Sequence, residues 1–473
     1  MGDDAVTTRP GSGTTRASRA PWWPLLVLLG ITFVLRVGWA AWIAHHDAEA
    51  VRSPDTPSYL GPAHALLEDQ RFNEAPGRDT PIFFRTPGYP AVLAGMLLVT
   101  GSSEWAISPL QAGLSLLIVV LVYWLGRQVL SPGGTVLAAA IVAFDPLQFA
   151  ASGTVLTEAA ASLSLVLVAV AAWRVFFKPR RSPDYAGVAL LGLAIAVATL
   201  IRPTTYYFPL IAIVFVVLGT RGLGFQRVLV SLLLFAVPLV VVVGGWQVRN
   251  HDRVGTTRLA GIDAYNLNCY RAADVEARAE GISLAKVREQ RGCPGPGSLD
   301  PERGCPKWAR THPGDTEKVG PCYDEMASRG IRTLLDHPTQ TATMTVRGFA
   351  RAAFGPGTAT VGRYLGRTPG VLKPVLAAWT LALWATFALG LWGVFRRGRD
   401  GRLFWAFTVV VIAYVLAISA GTDAYARTRT PVIPLIALVA GAAWPVLGRW
   451  TRALTSGRAS TGAVPADGST AAP

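Results

Sequence analysis

The chain alternates between long apolar runs and short polar connections along most of its length. A helix that crosses a bilayer needs about 20 predominantly apolar residues, because no backbone polar group can stay unpaired in hydrocarbon. We interpret ten runs in this way: 22–44, 107–127, 134–152, 155–177, 186–201, 204–220, 228–246, 373–395, 403–420 and 431–448. The pattern predicts an all-α polytopic membrane protein with about ten transmembrane helices.

The basic connections between these runs predict the orientation. Arginine is concentrated in residues 174–181, 221–227 and 396–402, which fall on one side if every run crosses the membrane. The positive-inside rule assigns this side to the cytoplasm, together with both termini. The apolar run that follows the polar N-terminal stretch is too long for the core of a cleavable signal peptide, so we interpret it as a retained span.

This topology divides the chain into five parts. They are a cytoplasmic tail at 1–20, a transmembrane catalytic bundle at 21–246 with a first external loop at 45–101, an external segment at 247–372, C-terminal transmembrane helices at 373–448 and a disordered cytoplasmic tail at 449–473. The last tail is rich in Ser, Thr, Ala, Gly and Pro and cannot bury enough surface to order itself.

Composition agrees with a membrane location, since 51% of the residues are hydrophobic and only 15% are charged. The formal net charge of +15 would suit nucleic acid, but the arginines stand in short connections, as expected beside a bilayer. Nucleic acid is therefore not an expected partner. Lysine is rare among the 44 basic residues, and Ala, Gly and Pro are frequent, which is typical of high-GC bacterial genes and indicates a bacterial plasma membrane.

All four cysteines lie in residues 247–372, which we call the cysteine segment. They are Cys269, Cys293, Cys305 and Cys322. An oxidising compartment favours one or two disulfides, and four cysteines allow three pairings that the sequence does not distinguish. A zinc site is the competing interpretation, although no CxxC pair supports it. The cysteine positions thus support an extracytoplasmic location independently of the charges.

The first external loop carries two groups of residues that suit chemistry. Asp55 precedes Pro57, which can open a short helix, and the four-residue spacing then puts Asp55 and Tyr59 on one side of it. Asp55 can serve as a base, although helix capping is the simpler role for it. The loop ends in Arg85-Thr86-Pro87-Gly88-Tyr89-Pro90, whose arginine and aromatic residues also suit interfacial anchoring.

Together these motifs resemble the first external loop of the GT-C superfamily of polyprenyl-phosphate-sugar glycosyltransferases, such as lipid A aminoarabinose transferases and protein O-mannosyltransferases. Further matches follow in the same order: Thr157-Glu158, Ile201-Arg202-Pro203, Gly245-Trp246-Gln247-Val248-Arg249-Asn250 and Ala426-Arg427-Thr428-Arg429-Thr430-Pro431. The resemblance covers roughly residues 20–250 and 420–445 and leaves most of the cysteine segment unmatched. Glu158 stands where the family often has Asp, and it is equivalent as an acceptor or metal ligand.

The resemblance implies a GT-C fold and transfer of a sugar from a polyprenyl-phosphate-linked donor to a glycan, lipid or protein acceptor. Asp55 and Glu158 are the expected catalytic residues, with Asp55 as the general base and with inversion of configuration. Glu158 is expected to hold the acceptor, share a proton or bind a cation beside Asp55. Arginine suits the donor phosphate, because a guanidinium matches its oxygens and stabilises the charge that develops on it. The expected substrate-binding residues are Tyr59, Arg85, Tyr89, Arg202, Arg249, Asn250, Arg427 and Arg429.

Several alternatives stay open. A divalent cation is possible at Asp55 and Glu158 with His45 or His46, but no metal or cofactor is assigned. Acceptor recognition is expected in the cysteine segment, where the family pattern is lost. A lipid-linked-substrate transporter or flippase would not need an external acid paired with external arginines at one level. A non-catalytic envelope assembly protein is the third function considered.

Overall fold

The computed structural model describes residues 19–101, 103–177, 182–293, 295, 299–312, 318–365, 370–396 and 401–448. The predicted C-terminal tail, residues 1–18 of the predicted N-terminal tail, and parts of two basic connections at 178–181 and 397–400 lie outside the described residues. Within the described ranges every regular element is helical, apart from one isolated β-bridge between Asn73 and Pro81. The predicted all-α fold class is confirmed.

Most of the predicted membrane runs correspond to apolar helices. Within the described part of the chain, six helices are long and apolar enough to cross a bilayer: Trp23–His46, Glu104–Val129, Glu158–Phe176, Phe225–Val254, Leu372–Arg396 and Ala426–Gly448. Three shorter apolar helices coincide with three further runs: Tyr185–Ile201, Phe208–Leu223 and Arg402–Ile418. The protein is a multi-pass membrane protein, and the count of ten crossings stays a prediction.

The predicted run 134–152 is a broken helix. Its two halves, Pro132–Phe144 and Pro146–Gly153, meet at an angle of 52°. Asp145 caps the second half by accepting hydrogen bonds from two backbone N–H groups at 3.0 Å each. Arg36 donates to the last carbonyls of the first half, one of them at 2.9 Å. The break therefore has charged caps on both sides, which replace the hydrogen bonds that the bend removes.

Among the six long helices of the described ranges, two are central, and three are peripheral with less than a third of the most apolar window buried: Trp23–His46, Phe225–Val254 and Leu372–Arg396. In Glu158–Phe176 and Ala426–Gly448, 67% and 78% of the most apolar window is buried, whereas in Phe225–Val254 only 17% is. Small residues let helix Pro132–Phe144 approach the central helix Ala426–Gly448 closely, because a Cβ on Gly134 would lie 2.3 Å from the carbonyl oxygen of Gly441. The exposed apolar surface of the outer helices then faces lipid.

The basic connections meet at one end of the bundle. A cavity there is lined by residues of all three connections, among them Phe177, Leu223 and Gly401. Helix Glu158–Phe176 has its C-terminus at this end, and at 1.5 Å per residue Glu158 lies about 27 Å away. The basic connections and Glu158 thus lie at opposite ends of the bundle, in agreement with the predicted asymmetry.

The parts predicted to be external are also helical. The first external loop contains the helices Pro57–Glu68 and Gly88–Thr100. Helix Phe225–Val254 continues past the predicted boundary at 246 and ends at Gly255, whose φ of +80° suits glycine. The cysteine segment then holds Ile262–Tyr265, Asn266–Ala272, Ala273–Glu280, Leu284–Gln290, Pro301–Gly304, Pro306–Thr311, Gly320–Asp336, Pro338–Phe354 and Thr358–Tyr364. Its cysteines pair as Cys269–Cys293 and Cys305–Cys322.

Candidate functional site

Asp55 lies directly before helix Pro57–Glu68, and its side chain is 38% exposed. One carboxylate oxygen accepts a hydrogen bond from Nη2 of Arg85 at 2.9 Å, and the other accepts from Nη2 of Arg427 at 3.3 Å. Burial by itself raises the pKa of Asp55, but the two arginines outweigh burial and lower the pKa below its ordinary value of 3.8. Asp55 is therefore ionised at neutral pH and partly open to solvent.

Glu158 is the first residue of helix Glu158–Phe176, and its side chain is only 2% exposed. Oε1 lies 3.2 Å from Nη1 of Arg202 and 3.0 Å from Nε of Arg427. The second contact is an ion pair without hydrogen-bond geometry, and Oε2 has no hydrogen-bond partner among the described residues. Arg427 thus connects the buried Glu158 to the exposed Asp55.

We call these residues the carboxylate–arginine cluster, which comprises Asp55, Arg85, Glu158, Arg202 and Arg427. Three guanidinium groups face two carboxylates, so the cluster has one positive charge in excess. Buried charges are stable only when they are paired, and this surplus favours an added anion. Guanidinium groups hold phosphate and carboxylate oxygens through directed N–H bonds. The cluster can therefore bind an anion beside an exposed carboxylate.

Two hydrogen bonds dock the first external loop beside Glu158. The hydroxyl of Thr56 donates to the carbonyl of Val155 at 3.0 Å, and the N–H of Val155 donates to the carbonyl of Val51 at 2.8 Å. Residues 51–56 are thereby fixed against the short connection that precedes Glu158. This contact brings Asp55 to the same arginine as Glu158, Arg427, although the two carboxylates are about a hundred positions apart in sequence.

Local backbone constraints place Arg202. It follows helix Tyr185–Ile201 with an extended conformation, at φ −146° and ψ 119°, because Pro203 disfavours the helical one. The end of this helix also meets Gly88, where a Cβ would lie 2.5 Å from the backbone of Leu200. Only glycine allows this approach, which brings the chain after Arg85 close to Arg202.

Arg427 belongs to a short 3₁₀ turn, Ala426–Val432, that packs in the centre of the bundle. The amide of Gln148 donates to the carbonyl of Thr430 at 2.7 Å, and the hydroxyl of Ser162 donates to the same carbonyl at 3.3 Å. Both donors come from helices next to Glu158. The turn is thus anchored three residues after Arg427.

The two predicted tyrosines lie behind the cluster. The guanidinium of Arg85 lies over the ring of Tyr59, 4.6 Å from its centroid, and Tyr59 contacts Tyr89 edge to face at 5.1 Å. The hydroxyl of Tyr89 donates to Oε1 of Gln111 at 2.6 Å. Burial raises the pKa of Tyr59, so its hydroxyl stays neutral. Tyr59 thus packs against Arg85, and Tyr89 packs against Tyr59.

Arg249 and Asn250 do not join the cluster. Arg249 donates to the carbonyls of Phe72 and Ile82 at 2.8 and 2.7 Å. Asn250 donates to two carbonyls of the connection that follows its own helix, at 2.8 and 3.1 Å. Their donors fasten the first external loop and the start of the cysteine segment to the end of helix Phe225–Val254.

Arg429 also points away from the cluster. Its side chain is buried, and it donates to the carbonyls of Ala353 and, at 3.3 Å, of Gly355. These carbonyls belong to the C-terminal end of helix Pro338–Phe354, where a cation is favourable. In the structure Arg429 therefore caps a helix.

Sequence analysis missed four buried polar residues that organise the bundle: Arg36, Gln111, Asp145 and Gln148. Arg36 and Asp145 are lone charges inside the predicted apolar runs 22–44 and 134–152. An ionisable residue at membrane depth usually indicates a buried polar contact. The dipeptide Asp-Pro is typical of the start of a helix. The two glutamines leave no such signal, because the backbone carbonyls and hydroxyl groups that they contact are distant in sequence.

The possible metal ligands do not come together. Nδ1 of His46 lies 2.7 Å from the carbonyl oxygen of Trp42, and the His46 ring stacks on the ring of the same tryptophan. His45 contacts Trp105. Across the described ranges, no three His, Cys, Asp or Glu side chains are grouped as metal ligands would be. The two carboxylates of the cluster instead have arginine partners.

Residues 84–246 match the family model described as dolichyl-phosphate-mannose-protein mannosyltransferase, a range that includes Arg85, Glu158 and Arg202. The fold is similar to that of the archaeal oligosaccharyltransferase AglB from Archaeoglobus fulgidus, with a TM-score of 0.51 and 12% identity over 94% of this chain. The chain has a GT-C fold. This finding confirms the resemblance that was drawn from the short motifs.

The GT-C fold is also seen in a second structure of the Archaeoglobus fulgidus oligosaccharyltransferase, with a TM-score of 0.50, 12% identity and coverage of 90% of this chain. The chain spans about half the length of these archaeal enzymes, 52% and 49% respectively. ArnT from Cupriavidus metallidurans matches 91% of this chain and 79% of its own at 14% identity, but its TM-score of 0.39 is too low to support an argument. No curated protein matches the sequence.

Proposed function

We propose that this GT-C protein is a membrane glycosyltransferase that moves a sugar from a polyprenyl-phosphate-linked donor to an extracytoplasmic acceptor. The observation that carries the proposal is the carboxylate–arginine cluster, in which an accessible ionised carboxylate stands beside a surplus of guanidinium charge. The acceptor class is a glycan, lipid or protein of the cell envelope.

Asp55 is proposed as the general base. Of the two carboxylates it is the accessible one, with 38% of its side chain exposed against 2% for Glu158. The acceptor hydroxyl oxygen attacks the anomeric carbon, its proton passes to Asp55, and the bond from carbon to the phosphate oxygen breaks. Attack opposite the leaving phosphate inverts the configuration of the sugar.

Arg85, Arg202 and Arg427 are proposed to hold the donor phosphate. Negative charge grows on the phosphate as its bond to the sugar breaks, and guanidinium groups already in place stabilise that charge without rearrangement. Phosphate bound by Arg85 and Arg427 would also compete with Asp55 for their N–H groups. The carboxylate would then regain lone pairs for the acceptor proton. Glu158 is proposed to hold Arg202 and Arg427 in place.

The relatives support this donor class. The family model that matches residues 84–246 is named for a dolichyl-phosphate-mannose donor. The AglB structure of similar fold contains a dolichol-phosphate together with an inhibitory peptide. Dolichyl-phosphate-mannose and dolichol-phosphate are both lipid phosphates, which fits an anion site at the membrane edge. We propose a bacterial plasma membrane location, cytoplasmic termini and an external cluster, on the basis of the arginine-rich connections and the external cysteines.

The test uses cells that lack the protein and carry labelled sugar in their polyprenyl-phosphate pool. They are complemented with wild type, Asp55→Asn or Asp79→Asn, and labelled envelope products are measured. Asp79 is the matched control, because it lies in the same loop with 94% of its side chain exposed. We expect wild type and Asp79→Asn to restore a labelled product and Asp55→Asn to lose it.

The product identifies the acceptor, and its anomeric configuration relative to the donor tests inversion. Full restoration by Asp55→Asn, made at normal level, overturns the base assignment. A wild-type protein that restores no product but changes the sidedness of the labelled lipid pool would favour the transporter interpretation instead.

A further inference from the structure

The two arginines that contact Asp55 share a structural feature outside the membrane bundle. Each one follows a short stretch of chain that the cysteine segment contacts. Residues 83–84 directly precede Arg85, and residues 418–422 are separated by residues 423–425 from the turn Ala426–Val432 that carries Arg427. Apart from Ile418, which ends helix Arg402–Ile418, neither stretch belongs to a helix or strand.

The stretch before Arg85 is bound by backbone and ring contacts. The N–H groups of Gly261 and Ile262 donate to the carbonyls of Phe83 and Phe84 at 2.8 and 3.2 Å. The Phe83 ring contacts Tyr323 at 5.3 Å, and the Phe84 ring contacts Tyr265 at 5.6 Å. Residues 83–84 therefore form a short ladder with the cysteine segment and are packed by its aromatic side chains.

The stretch before Arg427 is bound by two arginines of the cysteine segment. Nη2 of Arg271 donates to the carbonyl of Ile418 at 2.7 Å. Nη2 of Arg351 donates to the carbonyls of Gly421 and Thr422 at 3.1 Å each. Three backbone carbonyls of one connection are thus satisfied by charged donors from two different helices.

Close packing adds to these bonds. A Cβ on Gly348, in helix Pro338–Phe354, would lie 2.4 Å from the carbonyl oxygen of Gly421. A Cβ on Gly421 itself would lie 2.8 Å from Nε of Arg271. The connection is therefore held on both sides with no room for a methyl group, and a displacement of either helix moves it directly.

The disulfides hold the clamping residues. Cys269, bonded to Cys293, lies two residues before Arg271, and Cys322, bonded to Cys305, is the neighbour of Tyr323. Arg291, near Cys293, donates to Asn268 at 2.7 Å and to Thr333 at 2.6 Å, which ties helix Gly320–Asp336 to the Arg271 helix. The two disulfides and the hydrogen bonds of Arg291 thus connect the parts of the cysteine segment that contact the two stretches.

We infer that the cysteine segment is a clamp that positions Arg85 and Arg427 around Asp55, so that it governs donor-phosphate binding in addition to any contact with the acceptor. This inference rests on the proposed function of the cluster. Arg271 and Arg351 are positioning residues, since they act on Arg427 through the connection that precedes it. An error of even 1 Å in a phosphate-binding guanidinium is expected to weaken the site strongly.

The test replaces Arg271 by Met, which keeps an apolar stem and removes the donors, and by Lys, which keeps a charged donor. The control is Arg278→Met, a change on the next helix, Ala273–Glu280, at a half-exposed side chain whose ion-pair partner is Asp274. Binding of polyprenyl phosphate to each purified full-length protein is measured in nanodiscs, together with KM for the donor and for the acceptor.

We expect Arg271→Met to weaken polyprenyl-phosphate binding and raise the donor KM by about tenfold, with the acceptor KM unchanged. Arg271→Lys should recover part of the loss, and Arg278→Met should match wild type. A rise confined to the acceptor KM, or no change in either, overturns the inference. If wild type lacks transfer activity, the proposed function fails, while the lipid-phosphate binding measurement still tests the clamp.

A second variant guards against a folding defect in the first. Gly348→Ala places a methyl group against Gly421 from the other helix, and Gly370→Ala, where a Cβ would meet nothing within 4 Å, is its control. Gly348→Ala should also weaken lipid-phosphate binding, with thermal unfolding near that of the control. Equal lipid-phosphate binding by the two alanine variants would contradict the clamp.

Discussion

Two groups of buried charges lie in this bundle, and they differ in what their guanidinium groups contact. In the carboxylate–arginine cluster, arginines pair with Asp55 and Glu158, and Asp55 is open to solvent. In the second group, Arg36, Asp145 and Arg429 are 1% exposed, and both arginines donate to the last carbonyls of helices. We call the second group the helix-break group.

The difference separates a reactive arrangement from a supporting one. Arg36 and Arg429 donate to carbonyls of helix ends, which are fixed backbone groups that an added anion does not replace. Nε of both arginines and Nη1 of Arg36 have no hydrogen-bond partner among the described residues, but they are buried away from the solvent. Arginines that share carboxylates can exchange them for another anion of similar shape. Membrane depth and burial of an arginine alone therefore do not identify a functional site. The site is identified by the kind of group that the arginine contacts and by the solvent accessibility of that group.

The sharpest contrast is between Arg427 and Arg429, which are two residues apart. We expect Arg427→Met to lower sugar transfer by about 100-fold or more, because both carboxylates lose a shared guanidinium and the phosphate loses a ligand. Arg429→Met should instead lower the thermal unfolding temperature, with activity per folded molecule nearly retained. Initial rates and unfolding curves of the purified proteins measure both. Equal losses of activity would remove the distinction between the two groups.

The two buried acids offer a second contrast of intermediate size. Glu158→Gln should lower transfer by about tenfold or more, because Arg202 and Arg427 lose their common anionic partner. Asp145→Asn should change transfer by less than about threefold, since the single amide oxygen of Asn can still cap the helix, and the bond that is lost is the one from Trp379, which donates to the other carboxylate oxygen of Asp145 at 2.8 Å. Rates normalised to folded protein decide between them, and a larger loss in Asp145→Asn would contradict the comparison.

The smallest expected effect is a shift in pH dependence. The pKa of Asp55 is lowered by Arg85 and Arg427 against the effect of burial, so the carboxylate stays charged as the pH falls through the ordinary range near 3.8. When folding lowers the pKa of a carboxyl group, its ionised form stabilises the folded protein at pH values above the unfolded pKa. This contribution to the free energy of unfolding is lost as the pH falls through the folded pKa. The wild-type kcat/KM for the donor, which reports ionisation in the free enzyme, should therefore show no acid limb from Asp55 above about pH 4.

Arg85→Met should raise the pKa of Asp55 and move the acid limb of the pH–rate profile to higher pH. The same profile recorded with Arg278→Met is the control, because Arg278 does not contact the cluster. An acid limb of kcat/KM that stays in place in Arg85→Met would show that Arg85 does not set the ionisation of Asp55 in the free enzyme.

Much of the fold follows from local sequence properties. Apolar runs, arginine-rich connections and cysteine placement are short-range signals, and they predicted an all-α membrane bundle with two chemically different ends. Asp145 and Pro146 within the run 134–152 also indicate a helix break. The prediction followed hydropathy alone and therefore treated the two halves as one span. The resemblance to the GT-C superfamily rested on short motifs whose spacing the sequence preserves.

The sequence by itself determined which residues are candidates for the site, and only the tertiary structure decided which of them meet. Asp55 and Arg427 are 372 positions apart, and their contact depends on the docking of the first external loop and of a 3₁₀ turn. In that turn about 120° separates the directions of Arg427 and Arg429, so one faces carboxylates and the other faces carbonyls. Long-range packing sets such directions, because no local pattern specifies what lies opposite a side chain.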